Sequence, residues 1–520
     1  MSKKKLAGQI GLTSVAILIS RILGLVRDIV LMNFFGTTYV SDAFQAGFKI
    51  PNLLRKLFGE GALSAVFIPI YNEIGTKKSK KEQIDFGLNI LSILSFFLLL
   101  LSILGMILTP LLVKLITPGF DEKTYVLTVK LTRVIFPYLF LIGFSSTLIS
   151  ILNSHEKFFI PGLSSAFLNI GMILAPITCV LFFAESTLED RALALSFGVI
   201  TGGILQTVVN FPILKQIGYR FKIILNLKSD YLKIVWQKFL PGVLGLAIRQ
   251  VNLLVDTILA SFLIVGSITA LTMGNRLMQL PLGVFGISAS IAVLPLFSKF
   301  VANDEWDKLN EHLNFSMVSL SLIMIPITAI LIGLGKEFLQ ILFLRGQFDQ
   351  NSLEMTYLAL VYYTLGITFY SMNRLIIPVF YATKDTKTPV KISALIVVIN
   401  IALNIIFMSF MQHAGLALAT SVSAMIQFFI LIKILKNRFS DIKLDFLNDL
   451  IKMIFLSVII FLIIYFGKKN ISLNTIFNIF LYCSVSVIIY VFGANFLKIS
   501  SSDKIIKNIW KRFRKKSKKK

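Results

Sequence analysis

Long apolar runs constrain this chain more than any other feature. About fourteen stretches long enough to cross a bilayer as helices follow one another, at residues 10–35, 41–72, 86–116, 125–152, 158–184, 191–215, 232–263, 268–298, 310–334, 352–382, 389–410, 414–434, 447–467 and 472–497. A water-soluble fold has too little interior for so much apolar surface: 56% of the 520 residues are hydrophobic, and the mean hydropathy is +0.81. In hydrocarbon every backbone amide must be paired within the chain, and helices achieve this segment by segment. The expected fold class is an all-α polytopic membrane protein with about fourteen transmembrane helices.

The formal net charge of +26 does not indicate nucleic acid, because the charge is placed in alternate loops and the C-terminal tail. With the N-terminus inside, the inside loops hold Lys77, Lys78, Lys80 and Lys81, then Lys215 to Lys233, then Lys384, Lys387 and Lys391, then Lys433 to Lys443. This asymmetry predicts that both termini are cytoplasmic. Lys3-Lys4-Lys5 before an apolar run imitates a signal peptide, but no A-x-A-like site follows and Arg21 interrupts the run; an uncleaved first helix is expected. Cys179 and Cys483 lie in apolar runs and define no disulfide framework or metal cluster. His155, His312 and His413 are scattered near segment ends and read as interfacial.

Within these spans some residues are out of place. The stretch from Ser20 to Glu60 carries Arg21, Arg27, Asp28, Lys49, Arg55, Lys56 and Glu60. An arginine at the centre of a membrane helix costs about 2.5–3.5 kcal/mol on insertion scales, so a group of them points to a watery cavity or a charged ligand. Arg21, Gly24 and Asp28 share one stripe of the first helix, with Arg27 about a third of a turn away. Arg21 lies about 16 Å along the helix from Ile10, near mid-membrane. On the second helix Asp42, Gln45, Lys49, Asn52 and Lys56 repeat a 3-4-3-4 rhythm, with Arg55 and Glu60 beside it. An Arg–Asp pair that merely locks two helices would account for one charge of each sign. Arg21, Arg27 and Arg55 outnumber Asp28 and Glu60, which favours an anionic ligand.

The chain divides into residues 1–216, a cytoplasmic connector at 217–231, residues 232–440, a further pair of spans at 441–498 and a basic tail at 499–520. The connector, IGYRFKIILNLKSD, is too short and charged to span; a hairpin or an interfacial helix is expected. The tail alternates apolar with basic residues from Lys504 to Lys520, as an amphipathic segment on anionic lipid would, and a disordered basic end fits equally. A weak repeat relates the two large parts. Arg21-x-x-Gly24-x-x-x-Asp28 reappears as Arg249-x-x-Asn252-x-x-x-Asp256, and Lys49, Asn52 and Lys56 around Pro51 echo Arg276, Gln279 and Gly283 around Pro281. Six crossings separate the copies, so both parts enter the membrane in the same direction. Such parallel repeats place a substrate site between halves near the midplane.

The stretches SRILGLVRDIV, DAFQAGFKIPNLLRKLFGEGALSAVFIPIYNE, NRLMQLPLGVFGISASIAVLPLFSK, FYATKDTKTPVK and HAGLALATS together resemble, over essentially the full length, the MurJ (MviN) family of lipid II flippases. That family belongs to the superfamily of multidrug and oligosaccharide-lipid exporters. The resemblance implies two six-helix lobes related by a parallel pseudo-twofold repeat, two added C-terminal helices and residence in the bacterial cytoplasmic membrane. The implied function is alternating-access transport of the undecaprenyl-pyrophosphate-linked disaccharide-pentapeptide from the inner to the outer leaflet. Implied partners are lipid II, membrane lipids and the cell-wall synthesis machinery. The family's cavity arginines match Arg21, Arg27, Arg55 and Arg276, its acidic positions match Asp28, Asp42 and Glu60, and Arg374 falls where it usually has a basic residue.

A sodium site described for a relative maps onto Asp256, Asn400, Asn404, Leu416 through its carbonyl, and Thr420. Asn404 stands where that relative has a carboxylate, so hydrogen bonding between helices is an equal reading of Asn400 and Asn404. No cofactor is expected; coupling to Na+, to H+ or to the membrane potential stays open. The almost uncharged spans 447–467 and 472–497 are implied to guide the lipid tail, with plain structural packing as the alternative. An exporter of another lipid-linked oligosaccharide or of an amphiphilic drug is the nearest competing function. A drug exporter selecting cations would show acidic excess in place of arginine. An enzyme acting on polyprenyl phosphates is disfavoured, since Asp121-Glu122 and Glu189-Asp190 have no metal-like spacing.

Overall fold

The computed structural model describes residues 3–59, 62–439, 442, 444–470 and 474–500. Glu60 and the basic tail from Lys504 to Lys520 lie outside the described residues, as does the side chain of Arg249. Among the described residues there are helices and connecting turns and no strand. In chain order the helices are α1 (Lys3–Phe35), α2 (Tyr39–Leu54), α3 (Ala62–Lys77), α4 (Lys80–Ile116), α5 (Glu122–Ile135), α6 (Tyr138–Ser154), α7 (Phe159–Phe182), α8 (Leu188–Val208) and α9 (Phe211–Gln216). They continue as α10 (Asp230–Ala260), α11 (Ser267–Pro281), α12 (Ser288–Ala302), α13 (Trp306–Phe343), α14 (Gln350–Leu365), α15 (Ile367–Ala382), α16 (Lys387–Arg438), α17 (Leu447–Asn470) and α18 (Thr475–Phe496). Nine helical stretches among the described residues are long and apolar enough to cross a membrane. The chain is a multi-pass membrane protein.

Several expected spans are broken in the middle. A π-helical turn, Arg55–Gly59, joins α2 towards α3, and another, Leu282–Ile287, joins α11 to α12. Each follows a proline, Pro51 in α2 and Pro281 at the end of α11. Proline has no N–H to give to the preceding turn, so the ladder must shift, and π turns of this kind collect at functional sites. In α16 the chain doubles back at Gln412, whose φ of 53° and ψ of −136° are non-helical. Asn400 on one arm consequently reaches Ser423 on the other, Nδ2 to Oγ at 3.2 Å. The two expected spans 389–410 and 414–434 are the arms of this hairpin.

The described residues fall into two compact units, Met1–Ile268 with Arg345–Asp349, and Thr269–Leu344 with Gln350–Lys520. In unit 1, α7 packs along α1 and α8, α2 lies against α5, and α4 against α6. The α7–α8 approach needs glycine: a Cβ on Gly171 would lie 2.5 Å from the Gly198 carbonyl oxygen. In unit 2, α13 packs on α14 and α17, α15 on α12 and α16, and α18 on α13 and α17. The sequence expectation divides the large parts at 217–231, whereas α10 packs on α3 and α4 and so belongs to unit 1. Residues 219–226 of the connector form neither a hairpin nor a helix; they are extended and held on α4. The cause is local, because Asn89 and Ser92 of α4 offer side-chain partners to this backbone in place of a ladder of its own.

Candidate functional site

On α1, the Arg27 guanidinium is fixed on three sides. Its Nε and Nη2 donate to Asp28 Oδ1 at 3.1 and 2.9 Å, and its Nη1 donates to Asn169 Oδ1 of α7 at 2.9 Å. Asn169 in turn donates from Nδ2 to the Ser20 carbonyl at 3.2 Å, and Ser20 and Ser165 share a hydroxyl hydrogen bond at 2.7 Å. Asp28 is 6% exposed, so its charge is desolvated and depends on Arg27. Arg21, one and a half turns earlier, is exposed. The Asn169 partner was missed in the sequence, although a lone asparagine in the apolar run of α7 is a legible signal of an interhelical hydrogen bond.

The polar stripe of α2 separates into distinct environments. Lys49 Nζ donates to Thr257 Oγ1 of α10 at 2.7 Å, beside Asp256 in sequence. Arg55 Nε donates to Asn52 Oδ1 at 2.8 Å, which holds the guanidinium against its own helix at the entry to the π turn. Asp42 is 4% exposed and accepts a hydrogen bond from the Gly266 N–H at 2.7 Å, at the start of α11. A carboxylate there also complements the positive end of the helix dipole. Around Asp42 the connecting turns of unit 1 close together. Gln347 N–H donates to the Asn33 carbonyl at 2.9 Å, and Gly119 N–H donates to Ser261 Oγ at 3.1 Å. Gly266 and Gly346 both adopt positive φ, 93° and 57°, and a Cβ on either would collide with the backbone of Thr37 or Asn33.

In unit 2, Arg276 of α11 and Arg374 of α15 are both half-buried, and Arg374 lies by Gly286 in the π turn. Asn400 and Asn404 are buried and bonded to each other, Nδ2 of Asn404 to Oδ1 of Asn400 at 3.1 Å. The Thr420 hydroxyl donates to the Leu416 carbonyl at 2.9 Å. A hard cation needs convergent oxygen acceptors, preferably charged. Here Asn400 Oδ1 accepts from Asn404 and the Leu416 carbonyl accepts from Thr420, while the one carboxylate of the expected set, Asp256, stands on α10. One bond crosses the hairpin, from Asn400 Nδ2 to Ser423 Oγ at 3.2 Å, and the Asn404 and Thr420 bonds each lie within one arm of α16. Unit 2 also contains an apolar cavity of about 350 Å³, lined by Ile325 and Ala329 of α13, Phe369 of α15, and Leu450, Ile454 and Phe461 of α17.

A polytopic helical protein with broken helices and arginine–carboxylate chemistry at membrane depth belongs among transporters. The helical fold is shared with an inward-facing multidrug resistance MATE family transporter of the MOP superfamily, which superposes with a TM-score of 0.65 at 13% identity, over 84% of this chain and 98% of that one. A lipid II flippase MurJ solved in an inward closed conformation superposes with a TM-score of 0.78 at 29% identity, over 95% and 99% of the two chains. The family described as lipid II flippase MurJ matches residues 31–488. A probable lipid II flippase MurJ of Buchnera aphidicola subsp. Baizongia pistaciae is 35% identical over 464 residues, 88% of each chain. Its counterpart from Vibrio cholerae serotype O1 is 33% identical over 433 residues, 82% of this chain and 81% of the relative. The chain belongs to the MurJ family, a family of transporters and not of enzymes.

Proposed function

We propose that this chain carries lipid II from the inner to the outer leaflet of the bacterial cytoplasmic membrane by alternating access, with both termini in the cytoplasm. The observation that carries this reading is the family match over residues 31–488. The side chains supply a chemistry to go with it. Lipid II bears a pyrophosphate, and guanidinium groups with paired donors suit phosphate oxygens better than ammonium groups do. Arg21, Arg27 and Arg55 in unit 1, and Arg276 and Arg374 in unit 2, are the proposed receptors. Arg27 is prepared for exchange: Asp28 keeps its Nε and Nη2, while a phosphate oxygen replaces Asn169 at Nη1. In either state the guanidinium keeps its hydrogen bonds, so switching leaves no charge unpaired.

The joined turns around Asp42, Gly266 and Gly346 act as the outer gate, and the inward-accessible state is the one in which they are shut. Outward opening then breaks the Asp42–Gly266 and Gln347–Asn33 hydrogen bonds. The isoprenoid tail stays in hydrocarbon, and the apolar cavity beside α17 is a receptor of matching chemistry for part of it. Membrane potential acts on the cavity charge at about 2.3 kcal/mol per charge per 100 mV, and no step is routed through a bound cation.

The test is lipid II sidedness. Cells depleted of this protein are treated with an impermeant lipid II-cleaving probe, and cleaved lipid II is compared with the total. A pool that accumulates and stays protected is expected. A pool that remains fully cleavable, in cells with no second flippase, would assign the chain to another anionic lipid-linked sugar.

A further inference from the structure

The connector between α9 and α10 has a structure that transport by the arginines does not require. Tyr219 is 3% exposed, and its hydroxyl bonds to the Tyr71 hydroxyl at 2.6 Å, which also bonds His155 Nε2 at 2.9 Å. From there the backbone runs extended along α4. Ile224 N–H donates to Ser92 Oγ at 3.1 Å, Asn226 N–H to Asn89 Oδ1 at 2.8 Å, and Asn89 Nδ2 returns a bond to the Asn226 carbonyl at 3.1 Å. Ser92 lies roughly 9 Å along α4 from Phe86, where the expected span begins, so this segment runs at the depth of the bilayer edge. Non-helical backbone at that depth requires partners for its amides, which Asn89 and Ser92 provide.

An extended segment shows alternate side chains on one face. Here that face is Ile223 and Leu225, exposed by 81 and 55%; Phe221, 52% exposed and packed on Phe144 and Phe211, begins it, and Leu227, 72% exposed, follows in the next turn. Ile224 of the opposite face packs on the core of unit 1. Arg220, Lys222 and Lys228 are exposed among them, and the segment carries no acidic residue until Asp230. An apolar row interleaved with cations at membrane depth matches one partner, an anionic bilayer surface. A second copy of the chain would set these cations against themselves, and a soluble partner would have to reach into the headgroup layer.

We propose that residues 220–228 form an interfacial strap in which Phe221, Ile223, Leu225 and Leu227 enter the acyl layer of the cytoplasmic leaflet while Arg220, Lys222 and Lys228 bind anionic phospholipid headgroups. The leaflet, though not the insertion, rests on the orientation proposed above. The strap fixes the connector between α9 and α10 to lipid on one side and to α4 on the other.

The test uses full-length protein with Cys179→Ala and Cys483→Ala, carrying a nitroxide at Ile223→Cys, in nanodiscs of phosphatidylcholine with or without phosphatidylglycerol. Collision with oxygen exceeding collision with a water-soluble nickel chelate is expected at this position. Spin-labelled phosphatidylglycerol should be retained over phosphatidylcholine, and Arg220→Gln, Lys222→Gln and Lys228→Gln together should reduce that preference, by roughly fivefold per basic residue at low salt. Free access of the nickel chelate to position 223 would overturn insertion, as would exclusion of both relaxants, which marks a protein-covered face. An unchanged lipid preference in the triple variant would overturn headgroup binding. Labelling of Lys228→Cys by an impermeant maleimide added to intact cells would overturn the choice of leaflet alone.

Discussion

In one half of the sequence the chain runs α2, a π turn at Arg55–Gly59 and α3; in the other it runs α11, a π turn at Leu282–Ile287 and α12. Both breaks follow a proline, and both second halves contain another, Pro69 and Pro295. The side chains on this shared backbone differ. Before the first break stand Lys49, Asn52 and Arg55, with Lys49 bonded to Thr257 and Arg55 to Asn52; before the second stand Arg276 and Gln279, with Gln279 bonded to Asn275. Beyond the breaks, Tyr71 in α3 reaches His155 and Tyr219 through its hydroxyl, whereas Phe297 in α12 is fully buried and has no polar atom to satisfy. A missing proline N–H deforms a helix wherever it occurs, while the surroundings decide what the deformation carries. The first copy carries the denser set of cations before its break and the polar anchor beyond it; the second carries Arg276 and a Gln279–Asn275 pair before its break.

The sharpest way to break this comparison is to remove the charges. Arg27→Ala is expected to abolish growth in a strain that depends on this protein, with Arg27→Lys retaining a little. Each charge-assisted hydrogen bond removed is worth about 1.5–3 kcal/mol, and the variant removes the guanidinium that donates twice to the buried Asp28 carboxylate. Full growth of Arg27→Ala at native expression would show that this guanidinium does not hold the substrate. Arg276→Ala should cost less than Arg27→Ala combined with Arg55→Ala.

The shared backbone is tested by the prolines. Pro51→Ala and Pro281→Ala each restore a helix-interior N–H, and the residue change removes an intrinsic penalty of about 3 kcal/mol. Amide exchange at residues 55–59 and 282–287 should slow in the respective variants while transport falls. If exchange slowed in only one of them, the two breaks would have different causes. A smaller effect is expected from Asn169→Ala, which removes one acceptor of Arg27. Interhelical hydrogen bonds in membranes average about 0.6 kcal/mol, so the unfolding midpoint should move little while the transport rate drops several-fold.

The smallest expected effect concerns the polar anchor below α3. Burial, assisted by the charge of Lys80, holds His155 below the usual histidine range. The folded state therefore resists protonation there, and the unfolded chain binds the extra proton first. Stability from this group is complete above the ordinary histidine value of about 6.5 and declines as pH falls below it. Thermal midpoints measured from pH 7.5 to 5.5 should decline, and His155→Gln should flatten that decline.

Much of this was legible beforehand, and the reasons are specific. Arg21, Arg27, Asp28 and Arg55 stand out because hydrocarbon penalises charge, so their presence in apolar runs needs no structure to be noticed. The expected spans 41–72 and 268–298 ran through both breaks, although Pro51 and Pro281 stand just before the two π turns. Asn169, Thr257 and Gly266 were not identified, since an uncharged asparagine, a threonine and a glycine have innocent uses in any membrane helix. Their significance lies in what they touch: Arg27, Lys49 and Asp42. The four neutral residues read as a cation site, Asn400, Asn404, Leu416 and Thr420, do lie on one hairpin.

By itself the sequence determined the helical membrane class and the surplus of arginine in its apolar runs. Each of these follows from the cost of moving a residue from water into hydrocarbon, which depends on residue type and position along the chain. Tertiary structure alone decided that α10 joins α3 and α4, that the connector lies extended on Asn89 and Ser92, and that Asp42 is tied to Gly266. These depend on packing and hydrogen bonds between residues distant in sequence, where many pairings satisfy the same composition and only mutual geometry selects one.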